Sequence, residues 1–140
     1  MADGQGFEPW CRIAATIAFR VRAFGPLRHP SRDIPREVSA VVSLSGKAQH
    51  PVGRVVVEFE AVAPGRGIIR KDAHLQQFRT SFNAFLQHLF AAGARVVHIH
   101  PATPLSASIE IGRLLLPKTF EEVHVWEWQA PEWRPALRLK

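Results

Sequence analysis

The sequence predicts an α/β fold, a small Rossmann-like sheet with parallel core strands and flanking helices. Three observations carry this prediction. Arg95-Val96-Val97-His98-Ile99-His100 is β-rich, Leu105 to Leu116 is apolar and helical, and Glu122 to Trp128 is β-rich again. Two strands joined by a helical crossover are normally parallel, with a right-handed connection. Asp72 to Ala92 carries a single apolar stripe at the helical period, and Val38 to Leu44 is a continuous apolar run of the kind found in central parallel strands.

Composition sets the bounds. A chain of 140 residues, 46% apolar and 21% charged, suits one domain with an adequate core and argues against disorder. No apolar run approaches the ~18–20 residues that span a bilayer, and no secretion signal is evident, so no membrane partner is expected. The lone cysteine, Cys11, excludes an internal disulfide framework and points to a reducing cytoplasm. A net charge of +6 favours anionic partners such as nucleotides or nucleic acid without distinguishing them from a solvated basic surface.

In chain order, residues 1–9 are expected to be flexible, 10–129 to form one domain, and 130–140 to be a basic tail carrying Arg134, Arg138 and Lys140. From Cys11 to Ala23 apolar residues fill the odd positions and arginines several of the even ones, which predicts a strand with one buried face at a sheet edge. Gly25 to Pro35 is a basic loop with three prolines, Pro26, Pro30 and Pro35. The strand of Val38 to Leu44 breaks at Ser45-Gly46-Lys47, and Arg54 to Ala61 is the next strand. The nine residues between them are too few for a helical crossover, so a hairpin or a sheet-edge excursion is expected here.

The helix of Asp72 to Ala92 has Leu75, Phe78, Phe82, Phe85, Leu86, Leu89 and Phe90 on one stripe, with Asp72 as its N-cap and Gly93 closing it. Its phenylalanines mean core packing rather than a ligand box. A tight connection leads to the strand of Val96 to His100, then to the Leu105 helix with its small residues Ser106, Ala107, Ser108 and Gly112.

Few residues suggest catalysis. His98 and His100 share a strand face, and His124 on the next strand makes a conceivable zinc set; no carboxylate or cysteine accompanies them at ligand spacing, so no metal is expected. No Gly-x-Ser-x-Gly, Walker loop or Gly-x-Gly-x-x-Gly occurs, so neither a catalytic residue nor a cofactor is assigned. A binding constellation remains. In an open parallel sheet, ligands gather outside the carboxyl ends of the strands. That places His100, Pro101, Ala102, Thr103, Pro104 and Ser106 around a ligand, where the start of the Leu105 helix can hold phosphate. Ser45, Gly46 and Lys47 end another β-run with a hydroxyl, a flexible backbone and a cation. Trp128 can stack a base, or simply pack beside Trp126 on the same strand face.

These segments resemble a known family. His100-Pro101-Ala102-Thr103-Pro104-Leu105-Ser106-Ala107, then Glu110-Ile111-Gly112-Arg113-Leu114-Leu115, then Val123-His124-Val125-Trp126-Glu127, are similar to the closing part of SAVED domains. Val41-Val42-Ser43-Leu44-Ser45-Gly46 resembles their opening strand and turn. The similarity spans 38–129 and is most specific over 96–127. It implies a non-enzymatic sensor for a cyclic oligonucleotide, of the cyclic oligoadenylate type, in CBASS or type III CRISPR anti-phage defence. SAVED domains join two CARF-like halves and are usually fused to an effector. This chain has room for about one half, so the resemblance implies a separate effector and a second half, supplied by a SAVED- or CARF-like subunit or by a homo-oligomer. Trp10 or Trp133 is expected at such an interface. Two alternatives come from other classes. One is an RNA- or DNA-binding subunit using the basic loop at 25–36 and the tail; the other is a ring nuclease that degrades the cyclic signal.

Overall fold

The computed structural model describes residues 17–25, 34–118 and 120–140. Six strands and two helices follow one another along them: β1 (Phe19–Phe24), β2 (Glu37–Ser43), β3 (Val56–Ala61), α1 (Asp72–Ala91), β4 (Val96–Ala102), α2 (Leu105–Leu115), β5 (Glu122–Gln129) and β6 (Glu132–Arg138). They form one sheet in the order β1-β3-β2-β4-β5-β6. The four inner strands are parallel, and β1 and β6 add antiparallel edges.

Side-chain alternation gives the sheet two unlike faces. Val38, Ala40 and Val42 of β2, Val57 and Phe59 of β3, Val97 and Ile99 of β4 and Val123 of β5 point to the helices and form the main core with Phe78, Phe82, Phe85 and Leu89 of α1. Phe59 lies at its centre, its ring 5.0 Å from that of Phe19, 5.3 Å from Phe82 and 5.4 Å from Phe85. The opposite face carries Glu58, Glu60, Ser43, His98 and His100, all buried.

Chain direction explains which face holds what. The steps β3 to β4 and β4 to β5 run the same way across the sheet, so right-handed connections put α1 and α2 on one face. There Arg79 of α1 forks onto Glu110 of α2 at 2.9 and 3.1 Å. The step from β2 to β3 runs the other way, and its connection crosses the opposite face, where Ala48 packs on Val41 and Val56.

Several expectations change. The strands 38–44 and 54–61 are parallel neighbours rather than a hairpin, because an irregular strap over 44–55 makes the crossover that a helix usually makes. Asp72 opens the first turn of α1 while Lys71 occupies the cap, without a side-chain bond. Gly93 does close α1, at φ +117°. The stretch 130–140 is not a tail, since Glu132–Arg138 pairs along β5. Of the predicted N-terminal strand, Phe19–Phe24 stands at the sheet edge as expected, while Cys11 to Thr16, with residues 1–9, Trp10 and most of the loop at 26–33, lies outside the described residues.

Candidate functional site: the ends of the parallel strands

At the carboxyl end of β2 the chain leaves toward one face, and at the end of β4, its neighbour, toward the other. Adjacent strands whose connections diverge in this way leave a crevice between them, the switch point where open α/β sheets hold ligands. Backbone bonds knit its lining together. The amides of Leu44 and Ser45 both donate to the Ala102 carbonyl, at 3.0 and 2.9 Å, and the Gly65 amide, beyond β3, donates to the Leu44 carbonyl at 2.9 Å. Three loops therefore meet at one place: 44–47, 62–67 and 102–106.

Ser45, Gly46, Pro101, Ala102, Thr103, Pro104 and Ser106 of the sequence expectation converge here, all of them half-buried. A side chain at Gly46 would meet nothing within 4 Å, so open space lies in front of it. Pro104 caps α2 without a side-chain bond, and Thr103 is engaged with the Ser108 hydroxyl at 2.7 Å. Beyond β3 a cavity of about 420 Å³ opens beside Gly65 and Gly67, with exposed Arg66 and Arg70 on its lining.

Lys47 is placed differently from the expectation. Its ammonium turns onto the sheet face, donating to Glu60 Oε2 at 2.7 Å and Glu58 Oε2 at 3.1 Å, while the side chain stays 51% exposed. Although burial opposes it, bonding to the two carboxylates raises the Lys47 pKa. Glu58 is fully buried and also accepts from Ser43 Oγ at 2.7 Å and meets His50 Nε2 at 3.0 Å. Burial pushes its carboxyl up, but the bonds from Ser43, His50 and Lys47 prevail and hold it below the ordinary value. Glu60 receives Arg20 at 3.1 Å and Arg22 at 2.8 Å from β1 and is likewise lowered, again against burial. Sequence reasoning missed this network, whose one local signal is two glutamates at alternate positions of an apolar strand.

His100 and Trp128 separate from the crevice. Both lie on the strap face, with Trp126 and Trp133, so Trp133 is half-buried against its neighbours rather than presented as an interface anchor. His98 and His124 stack at 4.6 Å, and each has a carboxylate: Glu37 at 2.6 Å for His98 and Glu122 at 2.9 Å for His124. Glu37 comes from the neighbouring strand β2, opposite Val96 in register, which no sequence spacing reveals.

A mostly parallel sheet with a switch-point crevice defines a small Rossmann-like α/β domain. The chain belongs to the SAVED family, the SMODS-associated and fused to various effectors sensor domain, whose model matches residues 26–139. Its fold is similar to that of the Acinetobacter baumannii Cap4 SAVED/CARF-domain containing receptor, solved with the cyclic trinucleotide 3'3'3'-cAAA. The TM-score is 0.62 at 11% identity, covering 78% of this chain and 26% of the receptor. A second structure of that receptor aligns with a TM-score of 0.46 at 9% identity, over 85% of this chain and 26% of the other. This chain thus spans about a quarter of the receptor's length. No curated protein matches the sequence.

Proposed function

We propose that this chain is a non-enzymatic sensor module that binds a cyclic oligonucleotide, of the cyclic oligoadenylate type, in anti-phage defence and controls a separate effector. The observation that carries the proposal is the joined crevice at the β2/β4 switch point in a chain of the SAVED family. Backbone amides at the start of α2 and the exposed Arg66 beside Gly65 suit phosphates, and open space at Gly46 admits the ligand backbone. Lys47 contributes its remaining exposed surface. The receptor of similar fold was solved with a cyclic trinucleotide, which supports the same ligand class here. A lone cysteine suits a cytoplasmic setting. The other half of the pocket comes from a second copy or from a SAVED- or CARF-like subunit.

Calorimetry against cyclic di-, tri- and tetranucleotides tests the proposal. Binding of one ring is expected, weakening with salt and abolished by Gly46→Phe, at a position where an added Cβ meets nothing within 4 Å. Linear strands of the same bases should not compete. Light scattering with and without the ring should show association. No heat with any cyclic ligand, or displacement by linear strands, would sink it.

A further inference from the structure

On the face away from the helices, β5, β6 and the strap at 44–55 enclose a cavity of about 410 Å³. Trp126, Trp128 and Trp133 wall it, and His100, Arg54 and Glu132 are among the polar residues that line it. The Trp126 indole is held by a relay. Its Nε1 donates to His98 Nδ1 at 3.0 Å, so His98 carries its proton on Nε2 and donates it to Glu37 at 2.6 Å. His100 lies flat against Trp126, centroids 5.5 Å apart at 18°, and meets Trp133 edge-on at 4.8 Å.

His100 is 1% exposed, and neither ring nitrogen has a hydrogen-bond partner among the described residues. Such buried polar atoms are rare in folded proteins and need an explanation. Burial, with the charges of His98 and Arg54, keeps this imidazole neutral, so it presents one donor and one acceptor. The Arg54 guanidinium stands over the Trp126 ring at 5.7 Å and pairs with Glu37 Oε2 at 3.4 Å, the oxygen that His98 also meets. Trp133, half-buried on an edge strand, is tied by Nε1 to the Gln49 carbonyl at 3.0 Å and covers the imidazole edge-on.

Indole walls take a flat π-system, a paired donor and acceptor read the edge of a heteroaromatic ring, and a guanidinium takes a phosphate. A purely apolar occupant would fill the walls and leave the His100 nitrogens unpaired. We propose that this cavity is a nucleobase-binding site separate from the sheet-end crevice. In it a base stacks on exposed Trp128, Trp133 turns aside so that His100 reads the base's edge, and an attached phosphate faces Arg54.

The test titrates adenosine monophosphate while tryptophan fluorescence is followed, with Glu127→Ala as the control. Saturable quenching is expected, unchanged in the control and weaker for adenosine, which lacks the phosphate. Trp128→Leu should weaken binding about tenfold, the size of one lost base-aromatic contact, and His100→Phe, which removes the donor and acceptor, by a similar factor. Trp128 is 41% exposed, so its variant keeps the fold even if the His100 variant does not. Displacement of the mononucleotide by a cyclic trinucleotide or by a linear one supports the site and identifies the molecule that brings the base. No quenching of the folded protein at millimolar mononucleotide, or equal affinity in Trp128→Leu, overturns the proposal. Quenching that persists where calorimetry finds no cyclic ligand bound would count against the crevice alone.

Discussion

Ser43 Oγ donates to Glu58 Oε2 at 2.7 Å, and the same oxygen accepts the Ala48 amide at 3.0 Å. One hydroxyl thus fixes a buried carboxylate on β3 and the strap that crosses above it. Ser43→Ala leaves a buried amide and one carboxylate oxygen short of a partner. It should cost about 1–3 kcal/mol in urea unfolding and speed hydrogen exchange at the Ala48 amide. A change below about 0.5 kcal/mol would place the hold on the strap elsewhere.

Acid should erode the protein's stability in two successive pH windows. Burial, aided by the charges of His98 and Arg54, pushes His100 down to about 3 from its ordinary 6.5, and burial lowers His98 too. Between those values the unfolded chain binds the extra proton, so stability is full above pH 6.5 and falls as pH drops toward 3. The slope is at most about 1.4 kcal/mol per pH unit for each group. Glu37, lowered chiefly by its bond to His98, and Glu58 and Glu60, lowered against burial, lose their contribution only as pH falls below their ordinary 4.5. The window from 6.5 to 4.5 therefore belongs to the histidines. Urea midpoints measured across it should decline, and decline less in a folded His100→Phe variant. A flat wild-type profile would contradict the burial of the imidazole.

Gly93 ends α1 at φ +117°, and a Cβ there would stand 3.2 Å from the Ile34 carbonyl oxygen. Gly93→Ala is expected to destabilise by about 1–3 kcal/mol, combining an unfavourable backbone region with a tight contact. Thermal melts of the two proteins suffice, and equal midpoints would refute the left-handed closure.

The two helices are joined through Glu110, whose side chain is 6% exposed and accepts two bonds from Arg79 and one from exposed Arg113 at 3.2 Å. The Arg79 bond is the main reason its carboxyl lies below the ordinary value. Arg79→Ala should cost about 1–3 kcal/mol and Arg113→Ala under about 0.5 kcal/mol. A double-mutant cycle with Glu110→Gln should show coupling for Arg79 only. The reverse ranking would mean that Arg113, within α2, and not Arg79 of α1 is the partner that holds Glu110.

Much of the fold is legible where one face is buried and the period is sustained. The phenylalanine stripe of α1, the alternation of Phe19, Val21 and Ala23, and the strand-helix-strand order from Val96 onward each state their element locally. The parallel pairing of β2 with β3 is not legible, because its crossover contains no helix to announce it. The crevice loops could be read from strand ends and turn residues. The burial of Glu58 and Glu60 could not, since it depends on Arg20, Ser43 and Lys47, brought in from 40, 15 and 11 residues away. The tryptophan cavity is equally silent in sequence. Its members lie on β4, β5, β6 and the strap, and only register places His100 against Trp126 and Trp133.

Both margins of the sheet run antiparallel to the strands they flank, and both are poor templates for a further strand. Two arginines occupy β1, and on β6 Pro135 removes an amide between Arg134 and the later Arg138. Edges of this composition discourage strand addition from another chain. A second half therefore would not be stitched on as a continuation of the sheet. The second half proposed above would instead meet this one through the strand-end loops or through a helix surface, where two bodies could tilt against each other as a hinged pair and a ligand lodged between them would set the angle.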